Sequence, residues 1–440
     1  MGDFDKKYNI VDEKTPPHEL LSGHYKQSFA YYTLRERLPV ILTQVVDNLS
    51  RDKDEIAEKF GDGAREELKE IVGNISKLKY ELQTDKELTP ISGTSSDVMT
   101  WNIFLSSLNE NSRSFFNACW LHSECYMYRR LRSIFELSTH LRDFDYFQKQ
   151  KENALTCCTE SLEKVAKSID AHKEMERKCF KDFFRRLLKL NLWGNRCDLS
   201  ISAGKEIIQT GDPYTDIDIL DKYILVDQSA DVWECVSQDD TKDHPVTFIH
   251  DNSGFEIFTD FLLADFIIEQ NLASKVRFHV KAIPWYISDV TPHDFHWTID
   301  YLLGHQSETL RTLGSRWKKY LENGKFELCP VNFFWTSPFE FYKMAENDKK
   351  LYTELGESKL VIFKGDLNYR KLIGDYNWDR TESFETCLRG FRPSNVCTLR
   401  TIKADLICGL KEGVGEELDK SDPDWMVTGK YGVIQFALKN

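Results

Sequence analysis

Long apolar runs are missing from this 440-residue sequence. Nothing approaches the ~18 consecutive apolar residues of a membrane-spanning helix, so no membrane span is expected. Met1 to Lys7 lacks the apolar stretch of a secretory signal, and Lys6 stands where a myristoylation signal needs Ser or Thr. An excess of positive charge is missing too: 58 Lys and Arg against 71 Asp and Glu give a net charge of −13, which argues against general nucleic-acid or anionic-membrane binding. The 11 cysteines form no C-x-x-C pair, which speaks against a zinc-finger-type site. Their odd number and irregular spacing suit reduced thiols in the cytoplasm, with the nucleus as a second location, and most read as small core hydrophobes. There is no G-x-x-x-x-G-K-[ST] and no G-x-S-x-G, so P-loop and serine-elbow chemistry are not expected. Gly413-Val414-Gly415 lacks the strand and further glycine of a dinucleotide fingerprint, and Asp216-Ile217-Asp218 does not follow a buried strand.

What is present divides by periodicity. Up to about residue 190 apolar residues recur at three and four, as in Phe29 to Val46, Trp120 to Phe135 and Glu163 to Leu190, which predicts helices. The basic cluster Tyr128-Arg129-Arg130-Leu131-Arg132 reads as a solvated helix face in preference to an anion patch. From about residue 220 short β-branched and aromatic runs take over: Lys222–Val226, Val246–His250, Val276–Val280 and Leu360–Phe363, with weaker ones at Val396–Leu399 and Val433–Phe436. Helical segments are expected between them, over Phe255–Gln270, Asp294–Leu303, Leu310–Tyr320 and Phe339–Leu355. Strands alternating with helices predict a mainly parallel sheet, whose ligands bind beyond the carboxyl ends of the strands.

Four such ends carry suitable chemistry. Asp251 and Asn252 follow the second strand and offer a carboxylate and an amide oxygen, which suit Mg²⁺ or Mn²⁺. Ser253 and Glu256 also spell a capping box, so Glu256 has two readings of equal weight, cap and ligand contact. Asp289 closes the stretch Trp285-Tyr286-Ile287-Ser288 and would be a third oxygen ligand; His293 and His296 just beyond form a rival His/carboxylate set. After the fourth strand, Gly365-Asp366-Leu367-Asn368-Tyr369-Arg370-Lys371 reads as a loop in which Gly365 permits close approach, Arg370 can grip phosphate, and Asp366 or Asn368 can bind hydroxyls. Arg400 and Lys403, three apart, could reach one anion. Between the two halves lies Trp193-Gly194-Asn195-Arg196-Cys197-Asp198-Leu199-Ser200, which either ends the helical part or brings Asn195 and Asp198 to the cleft.

These motifs in this order, Trp193-Gly194-Asn195-x-Cys197-Asp198-Leu199-Ser200, Asp251-Asn252-Ser253-Gly254-Phe255-Glu256, Ser288-Asp289, Phe363 to Leu372 and Arg400-Thr401-x-Lys403, resemble the metal-dependent damage-control phosphatases, most closely the eukaryotic subgroup also named acidic residue methyltransferase. The likeness runs from about residue 27 to the end of the chain. It implies a three-layer α/β/α sandwich with an N-terminal helical domain, 27–192 helical and 193–440 the phosphatase domain; residues 1–26, outside the likeness, read as a polar, mobile extension. It implies Mn²⁺ or Ni²⁺, with Co²⁺ or Mg²⁺ as alternatives, on Asp251, Asn252 and Asp289 as the catalytic set. It implies hydrolysis of fructose 1-phosphate and fructose 6-phosphate, with Glu256, Asp366, Leu367, Asn368, Tyr369, Arg370 and Lys403 at the substrate and Asn195, Asp198 and Arg400 in support. The subgroup has also been assigned S-adenosylmethionine-dependent methylation of protein glutamates, which would make a protein the substrate. The glycine-rich methyl-donor loop is not apparent in this sequence. A non-catalytic metal-containing binding protein is the remaining alternative.

Overall fold

The computed structural model describes residues 3–170, 176–195 and 213–439. Seven strands, β1 (Ile224–Asp227), β2 (Val246–Ile249), β3 (Val276–His279), β4 (Phe326–Leu328), β5 (Leu360–Lys364), β6 (Val396–Thr401) and β7 (Gly432–Ala437), form one sheet in the order β1-β7-β6-β5-β2-β3-β4. The five strands from β6 to β4 run parallel; β7 pairs antiparallel with β6, and β1 parallel with β7. The carboxyl ends of β2, β3, β5 and β6 therefore open on one edge of the sheet, where ligands of such folds bind.

Side-chain alternation makes the layers. In β5, Leu360 and Ile362 enter one hydrophobic core while Val361 and Phe363 enter the other. Both faces of the sheet are thus buried, which is why these strands read as continuous apolar runs. The main helices are α1 (Leu38–Arg51), α2 (Gly63–Gln83), α3 (Trp120–Glu136), α4 (Phe180–Gly194), α5 (Phe255–Glu269), α6 (Pro292–Leu303), α7 (Glu308–Glu322), α8 (Lys349–Leu355) and α9 (Gly365–Ile373). Helices α1, α2, α3, α8 and α9 pack on the face of Val361 and Phe363, and α4 to α7 on the opposite face. The helical half does not form a core of its own: α1 to α3 share one with the sheet, while α4 crosses to the other side. Residues 3–26, expected above as a mobile extension, also enter the body, with Ile10 and Leu21 buried and Lys26 paired to Asp5 at 2.6 Å.

Several local expectations are corrected. The cluster 128–132 is not a solvated face, because α3 is buried around nearly its whole circumference. Arg129 is fully buried, donating to Asp97 at 2.7 and 2.9 Å and to Glu136 at 3.2 Å, and Arg132 reaches the Arg142 carbonyl. The segment Phe339–Leu355 is not one helix. Asp348 breaks it, leaving helical φ/ψ and accepting the Leu351 N–H as N-cap of α8. Strand β4 was not anticipated; three residues, Phe326-Glu327-Leu328, are too few to show a period. Residues 365–371, read as a loop, are the first two turns of α9.

Candidate active site

The site starts from backbone. Two residues past β2, the Asp251 carbonyl accepts the Val290 N–H at 2.9 Å, and the Ser253 N–H donates to the Ser288 carbonyl at 2.8 Å. This short antiparallel bridge sets Asn252 opposite Asp289. Immediately before it, Tyr286 and Ile287 have φ of 44° and 69°, and the Ser288 N–H bonds the Tyr286 carbonyl at 2.8 Å across the single residue Ile287. That is a γ-turn of the rare, strained sense, which costs of the order of 1–3 kcal/mol per residue and persists only where packing enforces it. The packing is visible: Tyr286 is buried and stacked on Tyr128 of α3 at 4.6 Å.

Asp251, Asn252 and Asp289 are all at most 5% exposed. The Asn252 amide donates to Asp251 Oδ2 and Glu256 Oε2, both at 2.8 Å, and Ser288 Oγ donates to Asn252 Oδ1 at 2.5 Å. Asn195, capping the end of α4, donates to the same two carboxylates at 2.8 and 2.6 Å. Its own Oδ1 accepts from Thr401 at 2.5 Å and Lys403 Nζ at 3.0 Å. Lys281 Nζ lies 3.3 Å from Asp289 Oδ2 and donates to the His250 carbonyl at 2.9 Å. Behind this layer Lys364 Nζ donates to Glu256 at 2.8 Å and Asp260 at 2.9 Å. Burial alone would discharge Lys364 and Asp260, but their attraction outweighs it, holding the Lys364 pKa above and the Asp260 pKa below their ordinary values; His250, at 2.6 Å, adds to the latter.

Helix α9 supplies the other wall. A helix can show only one face to a cavity, and that face carries Asp366, Leu367 and Arg370. With Asp251, Asn252, Asp289, Lys403, Arg37, Trp120, Glu124 and Tyr286 they line a cavity of about 30 Å³, room for one or two waters. Asp366 Oδ1 accepts from Arg400 Nε at 2.7 Å and the Lys403 N–H at 3.2 Å. The rest of the Arg400 guanidinium reaches the Leu406 and Ala404 carbonyls over the Tyr369 ring, so Arg400 orients Asp366 and does not itself line the cavity. Arg370 forks onto Asp375 at 2.7 and 3.0 Å, meets Glu124 at 2.6 Å and stacks on Trp120 at 3.5 Å.

Other expected residues are placed elsewhere. Asn368 donates to the carbonyls of Ile249, His250 and Lys364, which ties the ends of β2 and β5 together. Tyr369 is fully buried beside Cys408, its hydroxyl 3.3 Å from Sγ, and Lys371 donates to the Ser337 carbonyl. Glu256 lies behind Asp251 and neither caps α5 nor lines the cavity; the capping box that does form is Thr291–Asp294 on α6. His293 and His296 are exposed, and His293 pairs with Glu152 on the surface. Asp198 lies outside the described residues. The sequence reading missed Lys281, Arg37, Trp120, Glu124 and Tyr286. Only Lys281 had a signal, a lone charge inside the otherwise apolar run Val280–Ile283 at a strand end. The others come from segments more than a hundred residues away, or, for Tyr286, from a residue that looks like core.

The donors fit a hard divalent cation: three buried oxygen-bearing side chains, no thiol or imidazole lining the cavity among the described residues, and counter-charges already in place. Gly365 sharpens the fit. A Cβ there would sit 1.9 Å from Asp251 Oδ2, so only glycine lets this carboxylate occupy its position.

Comparison with known proteins bears on the same chain. The family model for the damage-control phosphatase ARMT1-like domain matches residues 33–418. Damage-control phosphatase ARMT1 of Danio rerio is 40% identical over 439 residues, covering 96% of this chain and 97% of that protein. The human protein of the same name is 39% identical over 436 residues, covering 94% and 98%. A crystal structure of a DUF89 family protein from Pyrococcus horikoshii aligns at 17% identity with a TM-score of 0.38, covering 84% of this chain and 95% of that one.

Proposed function

We propose a metal-assisted phosphate-ester hydrolysis for this cleft, because the chain belongs to the ARMT1-like damage-control phosphatase family. The observation that carries the reading is the meeting of Asp251, Asn252 and Asp289 with Arg370 and Lys403 around one cavity at the carboxyl edge of the sheet. Asp251, Asn252 and Asp289 would hold a divalent cation, Mn²⁺ or Ni²⁺ foremost. When bound, it supplies Lewis-acid polarisation of the phosphoryl group and acidifies water. Lys403 and Arg370 offset the charge on the phosphate oxygens, locally reversing the sign of an acidic protein. Asp366, fixed by Arg400, accepts hydrogen bonds from substrate hydroxyls, which suits sugar phosphates such as fructose 1-phosphate and fructose 6-phosphate. Lys281 limits the mutual repulsion of the carboxylates.

A panel of phosphate monoesters assayed with Mn²⁺, Ni²⁺, Co²⁺ and Mg²⁺ tests the reading. Fructose phosphates should be turned over with metal and not after chelation. Asp251→Ala should abolish that activity with the circular dichroism spectrum retained; full activity in this variant would sink the assignment. Lys403→Ala should lower kcat by about 10²–10³-fold, the usual cost of one charge-stabilising donor, with metal affinity little changed. Equal loss of both would remove Lys403 from its role.

A further inference from the structure

A second cluster of ligating side chains lies at the edge of the sheet, apart from the carboxylate cleft. His279 ends β3, Cys329 follows β4, and Glu354 is on α8. The parallel register pairs Phe278 with Leu328, and the Cys329 N–H bonds the Phe278 carbonyl at 2.9 Å, so His279 and Cys329 fall side by side beyond the last paired residues. One ring nitrogen, the sulfur and a carboxylate oxygen from the three residues all lie within 4.8 Å of one another. The His279 side chain is 2% exposed, and neither ring nitrogen makes a hydrogen bond. Its closest acidic atom is Glu354 Oε1, 3.7 Å away, and the Trp335 ring packs edge-on at 5.3 Å. A buried imidazole with both nitrogens unsatisfied is costly and calls for a partner.

We infer that His279, Cys329 and Glu354 form a transition-metal site for Zn²⁺ or a similar borderline cation, separate from the cleft of Asp251, Asn252 and Asp289. A nitrogen, a sulfur and a carboxylate oxygen are the donors of tetrahedral zinc, with a fourth position left to water; the hard Mg²⁺ or Mn²⁺ would not choose a thiol. Binding converts the Cys329 thiol to thiolate and releases its proton to solvent. The site joins two strands and a helix distant in sequence. It also fixes the residue two before Lys281, the cation that faces Asp289.

The test uses the full chain with the accessible thiols Cys157 and Cys179, and also Cys197, changed to serine. After chelation it is titrated with Co²⁺ and, against a chromophoric chelator, with Zn²⁺. Thiolate-bound Co²⁺ gives a near-ultraviolet charge-transfer band that oxygen ligands do not. The band should be present, should survive Asp251→Ala and should vanish in Cys329→Ser. Glu354→Gln, at a side chain one-third exposed and therefore safe for folding, should weaken Zn²⁺ by at least about tenfold, since even outer partners of metal ligands cost 10–100-fold. A missing thiolate band, or Zn²⁺ affinity unchanged by Glu354→Gln, overturns the site. Should Cys329→Ser not fold, Glu354→Gln alone decides.

Discussion

At the scale of single residues, the site depends on how closely its side chains are fitted to one another. Gly365 is the clearest case. Its φ of +80° and its contact with the Asp251 carboxylate exclude any Cβ. Gly365→Ala should cost about 1–3 kcal/mol through backbone strain. It should also cost turnover about a hundredfold, because displacing a reacting group by about 1 Å is enough for that. Thermal melting and kcat on one preparation would check both, and wild-type kcat would mean that the position of Asp251 is not critical. The sequence flagged Asp251, Asn252 and Asp289 because each ends an apolar run. Glu256, Asn368 and Tyr369 turn away from the cavity, since proximity in a motif says nothing about which way a side chain turns once α9 and α5 are wound.

At the scale of elements, helix α3 shows how tertiary context overrides a local pattern. Its basic residues have the spacing of a solvated face, yet the helix packs against α2 on one side and meets Tyr286 and Arg370 on another, and Arg129 is sealed between Asp97 and Glu136. Arg129→Ala removes the cation that Asp97 pairs with and leaves Glu136 with Arg132 alone at 3.8 Å, so it should destabilise by about 3–5 kcal/mol. A truly exposed arginine would cost within about 0.5 kcal/mol. Urea midpoints separate the two outcomes. The strands were legible because a sheet covered on both faces needs unbroken apolar runs, whereas β4 and the interrupted segment before β5 were too short to display a period. The continuation of β5 directly into α9 is likewise a matter of the Gly365 backbone, which the sequence read as a loop.

At the scale of the whole molecule, the parts are tied by buried polar links between distant segments. Glu340 is one: His122 of α3 lies 3.1 Å from one oxygen and Lys343 Nζ 2.7 Å from the other. Burial would raise its pKa, but His122 and Lys343 outweigh burial and bring it down to about 2 from an ordinary 4.5. A depressed carboxylate contributes stability above its ordinary pKa and loses it as pH falls through the folded value. Wild type should therefore lose on the order of 3 kcal/mol more than Glu340→Gln between those two pH values. Parallel urea-denaturation profiles measure the difference, and superimposable profiles would refute the link. The sequence by itself determined the class of fold and the strand ends at which Asp251, Asn252 and Asp289 stand, because periodicity and the residue type at the end of a run are local properties. Only the tertiary structure decided that α1 to α3 and α4 lie on opposite faces of one sheet, that Arg37, Trp120 and Glu124 close the cleft, and that His279, Cys329 and Glu354 meet. Those juxtapositions follow from which surfaces must be buried together, and that is a property of the whole chain.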